Sequence, residues 1–498
     1  MSFKSFAEFY HNETKYTPEG LKKNARALDW SKQPIPFKNY INAEKITLGE
    51  LLKKQDNDLS DDEKSLKKLS KLLYYTNGIT AMIPYTPPLY LRAAPSAGGL
   101  YPTEIYVITN NYKGLVNGIY NFNPKTHSLN LFAKGNFFDK LKKACFSHPS
   151  LEKSNIVLIY TGVIFRSEWR YQERAYRRIL LDTGHVMGNT IIYSPFIGYY
   201  SNLIEPFNDD YVNDLLFLNK NEEVTLSIIA LTEEKLNNKN NFLYPSQIKK
   251  DFSSKLDNLI IEFHNSTKID DLQKTNILES KIEKDNNKTK FSFAFGEKIE
   301  PKIIEWNNSL ENVISKRRST RAYNASSIDK DDLSKILTFT YKPELYKEQG
   351  FDYLPDNYDL SIIDTYIAIL NVKDIEDGCY YYLYERDELK QIRFKNFREE
   401  IYYLCLGQNL GRDASAVIFH TTNLPLSINK YGERAYRYLH LQAGILGQRI
   451  NLACTRLDIG VSGIGGFFDN DVNELLGIPE EVAVLYITTI GKPETRLI

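Results

Sequence analysis

The sequence predicts an α+β protein made of two tandem copies of one fold. Two observations lead to this prediction. Arg170–Arg177 (RYQERAYR) and Lys430–Arg437 (KYGERAYR) are identical at six of eight positions, at an offset of 260 residues. Strand-like and helix-like patterns also follow one another in the same order in both halves. We expect each half to form a mixed or antiparallel sheet flanked by helices, and the halves to form a pseudo-dimer within one chain.

The same offset persists over roughly 125 residues without a gap. It pairs Tyr106 with Tyr366, and it pairs Asp209–Leu216 with Asp469–Leu476. One offset kept over this distance is not expected by chance, so the halves are interpreted as diverged duplicates.

The elements of the first half follow from the spacing of apolar residues. Strands are predicted at Glu104–Thr109, Gly118–Phe122, Ser128–Phe132, Ile156–Tyr160 and Val224–Leu231, and helices at about Tyr171–Tyr193 and at Asp209–Leu216. The second and third strands would form a hairpin around Asn123-Pro124, because both residues favour turns.

Changes in composition divide the chain into four predicted regions. These are an N-terminal arm over residues 1–45, a first domain over 46–232, a polar linker over 233–300 and a second domain over 301–498. The linker is rich in Lys, Asn, Asp and Glu, with one helix expected near Phe252–Phe263.

Composition excludes several classes of protein. Lys+Arg and Asp+Glu are 63 each, so the chain lacks the basic excess of a nucleic-acid-binding protein. The four cysteines form no CxxC pair and the seven histidines no metal-ligand spacing, so no metal site is expected. No apolar run reaches the roughly 18 residues of a membrane span. We therefore expect a cytoplasmic protein with neither a membrane nor a nucleic-acid partner.

The first candidate motif is Pro95-Ser-Ala-Gly-Gly-Leu-Tyr-Pro102. Four small residues between prolines allow a flat ligand to approach the backbone closely and to accept hydrogen bonds from its N–H groups. The alternative is a plain tight turn, and spacing alone slightly favours that alternative.

The second motif is Arg317-Arg-Ser-Thr-Arg321. Arginine forks match phosphate oxygens and a serine hydroxyl adds a neutral donor, so this composition suits a phosphate monoester. A solvated basic surface explains the same residues equally well.

The third motif is the pair Lys430-Tyr431. A tyrosine that acts as a base near neutral pH needs its pKa lowered by about two to three units, which corresponds to about 3–4 kcal/mol. A neighbouring ammonium group in a poorly solvated pocket could supply that stabilisation. The alternative is a structural ring, because Tyr171 repeats it in the first half.

The two halves have lost different motifs. At the offset of 260 residues, Pro355–Asp359 (PDNYD) stands opposite Pro95–Gly99, and Asn57–Asp61 (NDLSD) stands opposite Arg317–Arg321. This complementary loss predicts one shared site built from both halves.

These motifs resemble those of the flavin-dependent nitroreductase superfamily. The resemblance rests on Arg317–Arg321, on Gly463-Ile-Gly-Gly-Phe467 and on Ile490-Gly-Lys492. Within the superfamily, Ala94–Val107, Gly118–Pro124 and Lys430–Tyr438 are similar to the SagB-type dehydrogenases. That group includes the azoline oxidases of ribosomally made peptides such as cyanobactins and microcins.

The resemblance implies an FMN bound where two nitroreductase-type domains meet. The implied phosphate ligands are Arg317, Arg318, Ser319, Arg321 and Lys492; the implied ring contacts are Ile464, Gly465 and Gly466 from the second half and Pro95, Ser96, Ala97 and Gly98 from the first. It also implies that Lys430 and Tyr431 are catalytic.

The function implied by the resemblance is oxidation of thiazoline or oxazoline rings in a modified precursor peptide, with oxygen as the acceptor. The implied partners are the peptide and either a second copy of the chain or other biosynthetic enzymes. Two alternatives stay open: an NAD(P)H-dependent nitro or quinone reductase, and a non-catalytic peptide-binding scaffold with the same fold.

Overall fold

The computed structural model describes residues 3–23, 25–86, 88–236, 258–270, 291 and 294–494. The chain forms two compact units. The first-half unit comprises Asp29–Leu278 and Gly350–Tyr358. The second-half unit comprises Met1–Leu28, Glu279–Gln349 and Asp359–Ile498. The N-terminal arm predicted over residues 1–45 is thus shared between the units.

The first-half unit contains a seven-stranded antiparallel sheet with the order β1-β6-β5-β4-β7-β9-β8 and a separate β2–β3 hairpin. The strands are β1 Glu44–Thr47, β2 Ile79–Ile83, β3 Leu89–Arg92, β4 Thr103–Thr109, β5 Gly118–Asn123, β6 Ser128–Lys134, β7 Ser154–Val163, β8 Tyr200–Ile204 and β9 Glu223–Thr232. The helices of this unit are α3 Asp61–Asn77, α4 Phe138–Ala144, α5 Ser150–Lys153, α6 Ile164–Tyr171, α7 Ala175–Tyr193, α8 Asp209–Leu215 and α9 Leu259–Ser266.

The second-half unit repeats this sheet with the order β10-β13-β12-β11-β14-β16-β15. Its strands are β10 Gly296–Lys298, β11 Asp364–Ile369, β12 Gly378–Leu383, β13 Glu388–Arg393, β14 Ala416–Asn423, β15 Gly460–Ile464 and β16 Val482–Gly491. Its helices are α1 Phe6–Glu13, α2 Pro18–Lys23, α10 Leu310–Lys316, α11 Lys330–Tyr341, α12 Arg398–Leu404, α13 Asn409–Arg412, α14 Leu424–Tyr431, α15 Ala435–Arg456 and α16 Asp469–Leu476.

Each unit is organised around one long buried helix. Every residue of α7 is buried, and α15 is buried from Ala435 to Cys454. α7 packs against β4, β7 and β8, and α15 packs against β15 and β16. These stretches therefore have no solvent-facing side, and their polar side chains are buried as well. The α+β class and the two tandem copies are confirmed, and both sheets are antiparallel throughout.

The helix predicted at about Tyr171–Tyr193 is interrupted. α6 ends at Tyr171, and a 3-10 turn at Gln172–Arg174 leads into α7. Gln172 adopts a φ of 50°, and Gly432 adopts 63° at the matching position of the second half. This left-handed conformation suits glycine and strains glutamine. The helix therefore breaks at this position, although the apolar pattern of the sequence continues across the break.

Residues 258–270 contain a second copy of the N-terminal helix. His11-Asn12 and Thr14-Lys15 recur as His264-Asn265 and Thr267-Lys268 at an offset of 253 residues. The two segments dock alike, because His11 Nδ1 lies 3.2 Å from the Tyr436 hydroxyl. His264 Nδ1 lies 2.8 Å from the hydroxyl of Tyr176, the residue that matches Tyr436. Part of the predicted linker is therefore a duplicated docking segment.

In the described ranges, no helix combines the length and hydropathy needed to cross a bilayer.

Candidate functional site

Lys430 and Tyr431 occupy the last turn of α14. Asn423 caps the start of this helix by accepting a hydrogen bond from the backbone N–H of Leu426. Gly432 ends it in the left-handed region, which turns the chain sharply into α15. Tyr431 is buried, with its ring 6.1 Å from that of Tyr438. The pair is therefore held by two helices rather than by a loop.

Asp359 joins Lys430 and Tyr431 through one oxygen atom. Tyr431 donates its hydroxyl hydrogen to Asp359 Oδ2 at 2.6 Å. The Lys430 ammonium group forms an ion pair with the same oxygen. The other carboxylate oxygen accepts the Ser361 backbone N–H at 2.9 Å and the Ser361 hydroxyl at 2.6 Å. Lys430, Tyr431 and Asp359 are called the Tyr431 cluster below.

The surroundings of Asp359 keep it ionised. Burial alone would raise its pKa, but hydrogen bonds from Lys430, Ser361 and Tyr431, together with the Lys430 charge, lower the pKa below its ordinary 3.8. Its side chain is 21% exposed, so water reaches the carboxylate. At neutral pH the Tyr431 cluster thus contains a carboxylate, an ammonium group and a phenol that donates to the carboxylate.

Arg317–Arg321 follows directly after α10. Arg317 caps the end of this helix, and its side chain is only 3% exposed. The Arg318 guanidinium donates to the backbone oxygens of Ser315 and Arg317, at 3.0 and 2.6 Å. Arg321 is exposed. The three arginines therefore differ in exposure, from buried Arg317 to exposed Arg321, so the segment is not a uniformly solvated basic surface.

The structure brings this segment to β15 and to Lys492. The backbone N–H of Thr320 donates to Val461 O at 2.8 Å, and the Thr320 hydroxyl accepts from the Val461 N–H at 2.9 Å. Asn324 donates its N–H to Lys492 O at 3.1 Å. A Cβ added at Gly460 would lie 2.8 Å from the Thr320 hydroxyl, so this close approach requires glycine.

The predicted ring-contacting segment begins where β15 ends. Ile464 is the last residue of β15, and its side chain belongs to the hydrophobic core. Gly465 and Gly466 continue the chain from there. The second-half unit therefore joins Arg317–Arg321 by backbone hydrogen bonds to β15, whose end leads into Ile464–Gly466. A further backbone hydrogen bond joins Asn324, just after Arg317–Arg321, to Lys492.

The Pro95–Gly98 segment lies in the first-half unit and is anchored to α7. Asp182 accepts a hydrogen bond from the Ser96 hydroxyl at 2.5 Å and from the Ala97 N–H at 3.1 Å. Burial raises the pKa of Asp182 to about 7, although both hydrogen bonds and Arg178 oppose this. The Ser96 hydroxyl and the Ala97 N–H, expected to face a ligand, are thus engaged within the protein.

The pairing of Asn57–Asp61 with Arg317–Arg321 is wrong. Ser60 caps α3, whereas Asp329 caps α11, so the offset of 260 residues does not extend to these helices. Counting back equally from each cap places Leu48–Leu52 opposite Arg317–Arg321. That stretch, LGELL, also contains no arginine, so the first half still lacks a matching phosphate segment.

The sequence profile of the nitroreductase family matches residues 59–231 and 314–492. The chain belongs to the nitroreductase family. Both copies of the fold are thus nitroreductase domains, with the Tyr431 cluster and the Arg317–Arg321 segment inside the second match.

Individual relatives agree with this membership. The crystal structure of a "putative nitroreductase" from Anabaena variabilis ATCC 29413 is 44% identical, covers 99% of this chain and 100% of its own, and superimposes with a TM-score of 0.92. "Putative nitroreductase MJ1384" of Methanocaldococcus jannaschii is 32% identical over 171 residues, which is 34% of this chain and 85% of that protein. "Microcin B17-processing protein McbC" of Escherichia coli is 26% identical over 155 residues, 30% of this chain and 54% of that protein.

Sequence reasoning missed Asp359 and Asp182. In the sequence, Asp359 belongs to the Pro355–Asp359 stretch opposite Pro95–Gly99, which indicates a lost motif rather than a functional residue. The signal available was Asp359-Leu-Ser361, since an Asp two residues before a Ser is typical of a capped turn. For Asp182 the signal was the contrast with Gln442 at the matching helix position.

The residues of the second-half unit fit a flavin mononucleotide. Three guanidinium groups, the Ser319 hydroxyl and the Lys492 ammonium suit a doubly charged phosphate. The clash of a Cβ at Gly460 with Thr320 shows that the segment is packed closely against β15. Glycines at 465 and 466 leave backbone without side chains directly after the end of β15.

Proposed function

We propose that this protein is an FMN-dependent dehydrogenase that oxidises thiazoline or oxazoline rings in a ribosomally made peptide to azoles, with oxygen as the electron acceptor. The observation that carries the proposal is the Tyr431 cluster, a buried tyrosine held between two helices, with a carboxylate at its hydroxyl and a lysine ammonium paired with that carboxylate. Membership of the nitroreductase family and similarity to a microcin-processing protein support it.

Tyr431 is proposed as the group that removes the acidic proton of the azoline ring, and Lys430 as its charged partner. Bound FMN would supply the oxidant that accepts a hydride from the ring. Burial of Tyr431 limits water at the hydroxyl, which favours proton transfer between positioned groups.

The proposed phosphate ligands are Arg317, Arg318, Ser319, Arg321 and Lys492, and the proposed ring contacts are Ile464, Gly465 and Gly466. The Pro95–Gly98 contribution stays a prediction from the family resemblance. The proposed substrate and partner is a modified precursor peptide, because the similarity to McbC concerns a protein that processes microcin B17.

The cofactor proposal is tested by FMN content. We expect about one FMN per chain, because only the second half carries the arginine segment. Arg317→Gln should weaken FMN binding about 10- to 100-fold, the loss typical of a charge-assisted hydrogen bond of about 1.5–3 kcal/mol. Lys316→Gln removes an adjacent exposed charge and should leave FMN binding unchanged.

The reaction is tested by incubating the FMN-loaded protein with a thiazoline-containing peptide under air and following azole formation by mass, a loss of about 2 Da per ring. Rapid flavin reduction by NADPH without azole formation would favour a nitro or quinone reductase instead. No flavin binding after reconstitution would favour the non-catalytic scaffold.

A further inference from the structure

The position of Asp359 alters how Tyr431 can act. A phenolate at Tyr431 would stand 2.6 Å from a carboxylate oxygen, and two adjacent anions repel each other. The Lys430 ammonium is already paired with that same oxygen. The contacts therefore favour a neutral Tyr431 whose hydrogen points at Asp359 and whose lone pairs face away from it.

We propose that Asp359 is the terminal proton acceptor of a two-step relay through Tyr431. This inference rests on the proposed function. The ring C–H bond breaks and its proton joins the Tyr431 oxygen, while the Tyr431 O–H bond breaks and that proton joins Asp359 Oδ2. The electron pair of the C–H bond forms the new ring double bond, and the neighbouring carbon gives up its hydride to the flavin oxidant. Tyr431 stays neutral throughout.

The other contacts of Asp359 suit this role. Two hydrogen bonds from Ser361 hold the carboxylate in place through the oxygen that the relay does not use. Lys430 holds the accepting oxygen. With 21% of its side chain exposed, Asp359 can return the proton to water after each turnover.

The first half lacks the relay. At the sequence offset of 260 residues, Gly99 stands opposite Asp359, and Arg170-Tyr171 stands opposite Lys430-Tyr431. The Arg178 guanidinium lies 3.7 Å from the centre of the Tyr171 ring. In the part of the chain that the structure describes, Tyr171 thus lies next to cations and no carboxylate is seen to accept from its hydroxyl, so the complete set of relay groups is found at Tyr431.

Among the described residues, three titratable groups are seen to interact with Asp359. Lys430 and Tyr431 approach it from α14, and Tyr384 approaches it from the end of β12. Burial and nearby acids raise the pKa of Tyr384, so Tyr384 stays neutral near pH 7. The pH response of a variant at Asp359 therefore reports on Tyr431.

The test is the pH profile of azole formation in Asp359→Asn. Wild-type protein should show little change in kcat between about pH 6 and pH 9, because Asp359 is ionised throughout. The variant should bind FMN normally, lose about 100-fold in kcat at pH 7, and recover about tenfold per pH unit as Tyr431 becomes able to ionise. Wild-type kcat with an unchanged profile, or a loss that does not recover with pH, would overturn the relay.

A matched control separates the relay from turn capping. Asp29 caps a similar turn, accepting the Ser31 N–H at 3.1 Å and the Ser31 hydroxyl at 2.6 Å, but its cation partner Lys32 is exposed. Asp29→Asn should leave kcat and its pH profile unchanged. Asp359→Glu, which restores a carboxylate, should recover part of the kcat lost in Asp359→Asn at pH 7.

A measurement without flavin or substrate makes the inference testable on its own. The pKa of Tyr431 can be read by NMR from protein labelled at tyrosine 13Cζ, with the signal assigned through Tyr431→Phe. Asp359→Asn should lower this pKa by at least one unit, because the carboxylate is lost and the ammonium remains. An unchanged pKa would overturn the relay. Absence of azole formation in wild-type protein would instead refute the proposed function.

Discussion

At the scale of single residues, the Tyr431 cluster shows how neighbouring side chains distinguish two copies of a repeated cation–tyrosine pair. Arg170-Tyr171 and Lys430-Tyr431 keep a cation before a tyrosine in both halves. Among the described residues, a carboxylate accepts a hydrogen bond from the Tyr431 hydroxyl, and none is seen to accept one from the Tyr171 hydroxyl. The two pairs differ in their surroundings: Arg178 lies over the Tyr171 ring, whereas Tyr438 lies next to the Tyr431 ring and Asp359 accepts from its hydroxyl.

Removing the Tyr431 hydroxyl tests its proposed role. Tyr431→Phe should keep FMN bound and reduce kcat at least 100-fold, within the range of a general base. The measurement is azole formation per flavin. Tyr171→Phe removes the matching hydroxyl from the first half and should change kcat less than about twofold. Full activity in Tyr431→Phe would exclude Tyr431 as the base.

At the scale of elements, Asp182 ties the Pro95–Gly98 segment to the middle of α7. The carboxylate accepts the Ser96 hydroxyl and the Ala97 N–H, and it is almost fully buried. In the second half Gln442 holds the matching position, and its buried amide bonds to no other group among the described residues. The same helix position therefore anchors a loop through Asp182 in the first half, whereas Gln442 makes no such contact among the described residues of the second half.

The raised pKa of Asp182 predicts a pH-dependent stability. Because the folded protein binds this proton up to about pH 7, whereas an unfolded Asp releases it near 3.8, the contribution of Asp182 to stability is greatest below about pH 4 and falls as pH rises to about 7. Relative to Asp182→Asn, wild-type protein should lose up to about 4 kcal/mol over this range. Urea unfolding of both proteins between pH 4 and pH 8 measures the difference. Parallel pH curves would contradict the prediction.

Much of the element order could be predicted from the sequence, and the exceptions have physical causes. β4, β5, β6 and β9 lie where apolar spacing placed them. The helix break at Gln172 could not be predicted, because it depends on a positive φ. A glycine such as Gly432 indicates that conformation, whereas a glutamine does not. Asp359 escaped prediction because its partners lie about 70 residues away along the chain, beyond any local pattern.

At the scale of the whole molecule, the duplication extends to the docking segments. α1 precedes the first half in sequence but belongs to the second-half unit, while α9 precedes the second half but belongs to the first-half unit. Tyr16 donates its N–H to Asp469 at 3.1 Å, and Ile269 donates to Asp209 at 3.0 Å. Both docking segments use the same contacts on matching surfaces.

Equivalent docking predicts equivalent energetic cost. Tyr436→Phe and Tyr176→Phe each remove one buried hydrogen bond to a histidine, and each should lower the free energy of unfolding by about 1 kcal/mol. Urea unfolding measures both. Tyr85→Phe, at a side chain that is 64% exposed, serves as the control and should have no effect. A cost in only one of the two buried variants would show that the docking sites have diverged.

The docking of α1 and α9 has a consequence for gene architecture. If the coding sequence were split between the halves, each polypeptide would carry the helix that completes the other unit. Neither product would contain every segment of its own unit, and fragment complementation would require both in equal amounts. A continuous reading frame delivers the segments in a one-to-one ratio, which makes fission of this gene costly once the exchange of helices is established.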